Sequence, residues 1–244
     1  VSGYATDVWN DSCAVDELEY ALSYGAVGTT CNPTIVVDVW NKDAPRWRAR
    51  AVELGQEHPT ASVTELAWLV VEDMSVTGAR LLEPVFDEHA GRQGRLSMQT
   101  DPTLYRTPRP IVEQALRFAA LAPNIIVKVP ATAAGIVAME EATYRGVSVN
   151  VTVSFATAQC LVAAEAIERG LRRRDAEGLD TSRMGPVVTL MAGRVEGWLR
   201  VVVERDRLIV DPDALPWSGI AVFKRAYQEF QARGYRARLL CAAI

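Results

Sequence analysis

The sequence predicts an α/β fold of the (β/α)8 TIM-barrel type, with the last strand and helix unaccounted for. Two observations carry this expectation. Short runs rich in branched aliphatic residues alternate with helical stretches along the chain, which is the pattern of a parallel sheet. A length of 244 residues also suits one such barrel, so 1–244 reads as a single domain.

The strand-like runs are 26–32, 95–101, 124–131, 147–155, 186–192 and 238–244. Counting the polar segment 7–13 as a first strand gives seven, one short of closure. The chain stops inside an apolar run, and an open barrel would leave strand edges exposed, so the reading expects a C-terminally incomplete barrel. Helix signals fill the gaps. Ser12 precedes an apolar stripe of Val15, Leu18 and Leu22 with Gly25 as a stop, and 143–145 closes at Gly146. The run 62–91 is longer than one ordinary helix and contains Pro84, which should break or kink it, so two helices or a helix with an extension are expected. The proline-containing stretches 105–110 and 211–216 read as loops, with no repeat and no low-complexity tract.

About half of the residues are apolar (49%), so a core can form without disulfides or a structural metal. Cys13, Cys31, Cys160 and Cys241 lie far apart in sequence without a CxxC pair, which favours reduced, partly buried thiols and a cytoplasmic setting. No leader or run of about 18 uncharged apolar residues is visible, so no membrane partner is expected. The net charge of −4 argues against nucleic acid. The triplet Arg172, Arg173 and Arg174 reads as a solvated helix end rather than a binding patch.

Only three lysines occur among 26 basic residues. Lys42 and Lys224 lie in polar sequence. Lys128 does not: it sits in the run Ile125-Ile126-Val127-Lys128-Val129-Pro130, near the carboxyl end of a buried strand, where a charge is costly. An amine attacks a carbonyl only when unprotonated, and an ordinary lysine near pKa 10.4 is rarely so at neutral pH. Lowering that value to roughly 7–8 takes about 3–5 kcal/mol of bias against the ammonium form, within reach of an apolar strand. The competing reading is a structural lysine whose stem lines the core while its head reaches an ion pair.

Strand side chains alternate between faces. Asn150 and Thr152 therefore share a side, as do Thr30 with Asn32, Ser97 with Gln99 and Asp101, and Thr189 with Met191. Each polar residue alone could be a satisfied interior hydrogen bond. Together, at the ends where barrel active sites form, they suggest a site around Lys128. His58 and His89 lie in polar sequence without ligand spacing, so no metal is expected, and no GxSxG elbow, P-loop or GxGxxG follows a strand.

Several of these segments resemble the transaldolase family of class I, Schiff-base aldolases. Thr29-Thr30-Cys31-Asn32-Pro33-Thr34 is similar to its TTNPS/T segment, and Gly94 to Asp101 to its third-strand motif. Val127-Lys128-Val129-Pro130-Ala131-Thr132 with Gly135-Ile136 resembles the KIPAT…GI segment around the Schiff-base lysine. Asn150-Val151-Thr152 resembles the NxT motif and Ala192-Gly193-Arg194 the end of the SPFVGR motif. The matches run in order along most of the chain.

The resemblance implies a cofactor-free enzyme of the pentose phosphate pathway, acting on a sugar phosphate. Lys128 would hold a dihydroxyacetone unit, and Asp11 would shuttle protons at the substrate hydroxyls. Asn32 and Asn150 would hydrogen-bond that unit, Thr152 would position a water, and Arg194 would meet the phosphate with its planar fork of donors. Three departures stand out. Gln99 replaces the family's glutamate, and an amide can hold a water but not accept its proton; related fructose 6-phosphate aldolases carry glutamine there. Thr189 and Met191 replace a serine and an aromatic residue. The sequence also stops before the second phosphate-binding arginine expected beyond the seventh strand. The expected activity is therefore transaldolase-like, with an aldolase-like lyase, a non-catalytic sugar-phosphate-binding barrel and an unrelated barrel with a structural lysine as alternatives. The number of associating chains is not legible.

Overall fold

The computed structural model describes residues 6–242. Strands and helices alternate: β1 (Trp9–Asn10), α1 (Val15–Ser23), β2 (Gly28–Cys31), α2 (Pro33–Lys42), α3 (Ala44–Glu57), α4 (Val63–Glu88), β3 (Arg95–Gln99), α5 (Pro108–Ala119), β4 (Ile125–Pro130), α6 (Ala133–Tyr144), β5 (Val149–Thr152), α7 (Thr157–Ala176), β6 (Val187–Met191), α8 (Ala192–Asp206), α9 (Ser218–Arg233) and β7 (Arg238–Ala242). The seven strands follow chain order in the sheet, β1 to β7, and the pairs β1–β2, β2–β3, β5–β6 and β6–β7 are parallel. The expected strand 238–244 is present to residue 242; its last two positions lie outside the described residues. No helix among the described residues is long and apolar enough to cross a membrane.

The chain divides into two compact units. The first holds residues up to 99 together with 117–127. Its core is the contact of α4 with β3: Met74, Leu82, Phe86, Leu96 and Leu18 of α1 are all buried. Gly78 permits this approach, because a Cβ there would stand 2.8 Å from Leu96 Cδ1. Asn124, fully buried just before β4, donates to the carbonyls of Ala79 at 2.7 Å and Gly94 at 2.9 Å, so one side chain ties α4 to the entry of β3.

Of the two readings of 62–91, two separate helices are ruled out: α4 is one helix that runs through Pro84. Ser62 and Glu65 form a reciprocal cap at its start. Pro84 falls near its end, where the lost backbone bond is one of few remaining, and buried Leu82 and Phe86 on either side hold the turn. Beyond it, Gly91 and Gly94 take positive φ.

The second unit holds residues 100–116 and 128 onward. Helices α6 and α7 pack closely where Gly170 meets the Glu140 carbonyl and Thr143; a Cβ would lie 2.6 Å from that oxygen. Val149 and Val151 of β5, Val188 and Leu190 of β6, and the Ala163, Ala164, Ala166 and Ile167 stripe of α7 are fully buried. The arginine triplet lies near the end of α7 as expected, with Arg172 exposed but Arg173 and Arg174 half-buried. Arg172 meets Glu165, Arg173 meets Glu140 and Glu141, and Arg174 donates to the Tyr144 and Asp180 carbonyls. The stretch 105–110 is not wholly loop: Pro108 opens α5, a place where its missing N–H costs nothing. Near 211–216 a short 3-10 turn, Leu215–Trp217, leads into α9.

Gly94 has φ +73, and a Cβ there would lie 2.1 Å from the Phe86 nitrogen. Gly94→Ala is expected to cost at least about 3 kcal/mol in urea unfolding, from backbone strain and overpacking together.

Candidate active site

In the first unit, β1 ends at Asn10, and Thr29 fastens the loop that follows by donating to the carbonyls of Asn10 and Ser12. Asp11 on that loop is exposed and accepts a hydrogen bond from Thr30 on β2, so these two sequence-selected residues are brought together. Asn32 stands one residue past β2 with extended backbone (φ −130, ψ 169), which carries the strand alternation one step further. Its Oδ1 accepts from the Thr34 and Ile35 amides at 2.8 and 3.0 Å, capping α2, with Pro33 as the first helical residue. The cap fixes the amide's orientation and leaves its NH2 as the donor for a ligand. Gln99 closes β3, half-buried, behind fully buried Ser97.

Asp101 departs from the expected strand pattern. It lies beyond β3, and its Oδ1 accepts from Thr103 N and Oγ1 to cap a short 3-10 turn, a structural role that parity alone did not separate from a site role.

In the second unit, Lys128 lies on β4 between fully buried Val127 and Val129 and is itself 9% exposed. Thr132 caps α6 through the Gly135 amide at 3.0 Å, and a Cβ on Gly135 would lie 1.8 Å from the Pro130 carbonyl oxygen. The Pro-Ala-Thr and Gly pattern after Lys128 thus builds the tight turn that ends β4 just past the lysine. Asn150 is fully buried on β5 and accepts at Oδ1 from Thr189 Oγ1 of β6 at 2.7 Å. Thr152 is buried at the end of β5, and Met191 is half-buried at the end of β6. Arg194 is exposed in the first turn of α8, where a guanidinium can reach an anion in solvent.

Sequence reasoning missed three features. Ser154 is fully buried and donates to the Thr189 carbonyl at 2.5 Å, bracing the same pair of strands. Val153 has φ +56, a left-handed conformation that a β-branched residue rarely takes, and no sequence signal announces it. The third is the Cys13 and Cys31 pair: distant in sequence, their sulfurs stand 3.0 Å apart, although none of the four cysteines is in a disulfide. Cys31 also lines an apolar cavity of about 570 Å³ within the first unit, with Trp40, Trp68 and Met98 in its wall and Asn32 and Gln99 at its edge. Among the described residues no group of three His, Cys, Asp or Glu could hold a metal ion.

The family model described as Transaldolase/Fructose-6-phosphate aldolase matches residues 8–244. The chain belongs to this family. A Neisseria meningitidis serogroup A protein named Transaldolase is 30% identical over 239 residues, which is 95% of this chain and 65% of that protein. A Thiobacillus denitrificans Transaldolase is 33% identical over 204 residues, 80% of this chain and 56% of its own length. A Streptomyces avermitilis Transaldolase 1 is 36% identical over 120 residues, 48% of this chain and 32% of its own. The chain therefore spans less than two thirds of the length of these relatives.

In the second unit the buried Asn150–Thr189 pair joins β5 to β6. Thr189→Val keeps the shape but removes the donor and leaves Asn150 Oδ1 without that partner. A loss of about 1–3 kcal/mol is expected, read by denaturant unfolding with unchanged far-UV circular dichroism.

Proposed function

We propose that this protein is a cofactor-free, Schiff-base enzyme of the transaldolase type, built as one (β/α)8 barrel domain and working in the cytoplasm on small sugar phosphates. The observation that carries the reading is Lys128, a lysine only 9% exposed on the buried strand β4, in a chain of this family. Burial strips hydration from an ammonium, and it is the neutral amine that attacks carbonyls.

The chemistry follows from the side chains. The Lys128 Nζ lone pair attacks the ketose C2, and loss of water leaves an imine. Once protonated, the imine withdraws the electron pair of the C3–C4 bond as it breaks. The O4 proton passes to the Asp11 carboxylate, an aldehyde departs, and a three-carbon enamine stays on the lysine. That enamine attacks an acceptor aldehyde, Asp11 returns the proton to the new alkoxide, and water hydrolyses the new imine to free the product ketose and the Lys128 amine. Asn32, through the NH2 left by its cap, and Asn150 are proposed to hold the hydroxyls of the three-carbon unit, Thr152 to position a water, and Arg194 to bind the phosphate. Thr189 and Met191 are proposed to shape the binding surface, Thr189 by holding Asn150.

Gln99 favours a second reading, an aldolase-like lyase. In it the enamine takes a proton, and water hydrolyses the imine to release dihydroxyacetone. An amide can hold that water but cannot take its proton.

One assay tests the proposal. The purified protein is given fructose 6-phosphate with and without an aldose phosphate acceptor, and release of glyceraldehyde 3-phosphate is followed. Release that depends on the acceptor is expected for transfer, whereas release without it identifies the lyase. Lys128→Met is expected to lose ~10³-fold or more in turnover while remaining folded. A Lys128→Met protein that still turns over would overturn the proposal.

A further inference from the structure

We propose that Cys13 and Cys31 form a thiol oxidation site, which a small hydroperoxide converts to a reversible disulfide beside Asp11 and Asn32. Neither residue has a part in the carbonyl chemistry above. Four features of the first unit support the assignment.

The sulfurs are already close. They stand 3.0 Å apart, and a disulfide bond of about 2.05 Å needs a movement of roughly 1 Å. The approach is also held in place. Cys31 is the last residue of β2, and Cys13 lies on the loop after β1, which Thr29 ties to β2 through the Asn10 and Ser12 carbonyls. The pair β1–β2 is in register at Asn10 and Thr29, so the two thiols ride on neighbouring, hydrogen-bonded segments. A chance approach of two mobile loops would not be fixed in this way.

Access comes from the apolar cavity in whose wall Cys31 stands. Both thiols are otherwise buried, 3% and 2% exposed, which keeps out large thiols such as glutathione while a hydroperoxide can enter. Reactivity is the fourth feature. The Cys13 thiol is held below its ordinary range, chiefly by its hydrogen bond with the Cys31 sulfur and against the opposing effect of burial. Burial instead pushes Cys160 up to about 11 and raises Cys241. The thiolate is the nucleophile, so the pair should react ahead of the other two cysteines.

The steps balance. The Cys13 thiolate attacks the peroxide O–O bond, giving a sulfenic acid and releasing the other oxygen as hydroxide or alkoxide, which takes up a proton. The Cys31 sulfur then attacks the sulfenic sulfur, the S–O bond breaks, and water leaves with the thiol proton. Overall, two thiols and one hydroperoxide give one disulfide, one water and one alcohol, or a second water from hydrogen peroxide. Closing the sulfurs draws on the loop that carries Asp11 and on the β2 end that leads into Asn32, so oxidation is expected to lower turnover. That consequence rests on the proposed function; the disulfide itself does not.

The test reads the bond directly. The folded protein is treated with hydrogen peroxide at neutral pH, then denatured, blocked with N-ethylmaleimide and digested without reduction. Trypsin leaves both cysteines in peptide 1–42, because the first basic residue of the chain is Lys42. That peptide is expected to lose two hydrogens and resist alkylation until dithiothreitol is added. Cleavage at Glu17 or Glu19 should then give two fragments joined through Cys13 and Cys31. Cys160 and Cys241 should remain alkylatable. Cys31→Ser should leave Cys13 as a dimedone-reactive sulfenic acid, and if that variant does not fold, the wild-type map decides alone. Both thiols alkylated after peroxide, sulfinic or sulfonic acid on either, or a bridge to Cys160 or Cys241 would overturn the assignment. Because the map scores a bond, it can fail or succeed whether or not Lys128 forms an imine.

Discussion

A lysine amine on a buried strand is the constraint from which the account follows. Ile126, Val127 and Val129 of β4 are fully buried, and Lys128 on the same strand is 9% exposed. An ammonium ion in such surroundings loses its hydration, and recovering that loss takes several kcal/mol of compensating interaction or release of the proton. A protein that needed only packing at this position would gain by an apolar residue of the same shape. The Thr132 cap and the close approach of Gly135 to the Pro130 carbonyl end β4 just past the lysine, in a turn that tolerates little change.

Within each unit the selected polar groups are held by neighbours of the same unit. Asn150 receives its hydrogen bond from Thr189, and Ser154 braces the Thr189 carbonyl, so the second unit fixes one amide by two neighbouring strands. In the first unit, Asn32 is fixed by capping a helix and Asp11 by the Thr30 hydroxyl. Each of these residues spends hydrogen-bonding capacity on the fold. Such fixed donors and acceptors are already oriented when a ligand arrives, and little reorganisation is needed.

Much of this was legible in the sequence because buried parallel strands are written as short apolar runs. The runs around Lys128, Asn150 and Thr189 marked β4, β5 and β6, and alternation selected the polar residues on them. What misled was local chemistry with two outcomes. Pro84 can break a helix, but near the end of α4 its missing bond costs little and the buried Leu82 and Phe86 outweigh it. Pro108 can mark a loop, yet it also suits a first helical turn. Asp101 shares the parity of Gln99, but the strand ends before it and the carboxylate caps a turn instead. The Cys13 and Cys31 approach was invisible because it depends on the β1–β2 register, which no spacing of cysteines encodes. The left-handed backbone at Val153 had no signal, since a β-branched residue is a poor marker for it.

The central claim is that Lys128 forms a covalent imine with a ketose, and borohydride reduction tests it most directly because it fixes the imine to the lysine that made it. The protein is treated with fructose 6-phosphate and borohydride, and its peptides are mapped by mass spectrometry. The account predicts a reduced three-carbon adduct on Lys128, with Lys42, held at the surface by Asp16 and Glu17, and Lys224 unmodified. No adduct on Lys128 in folded protein, or labelling spread equally over the three lysines, would contradict it.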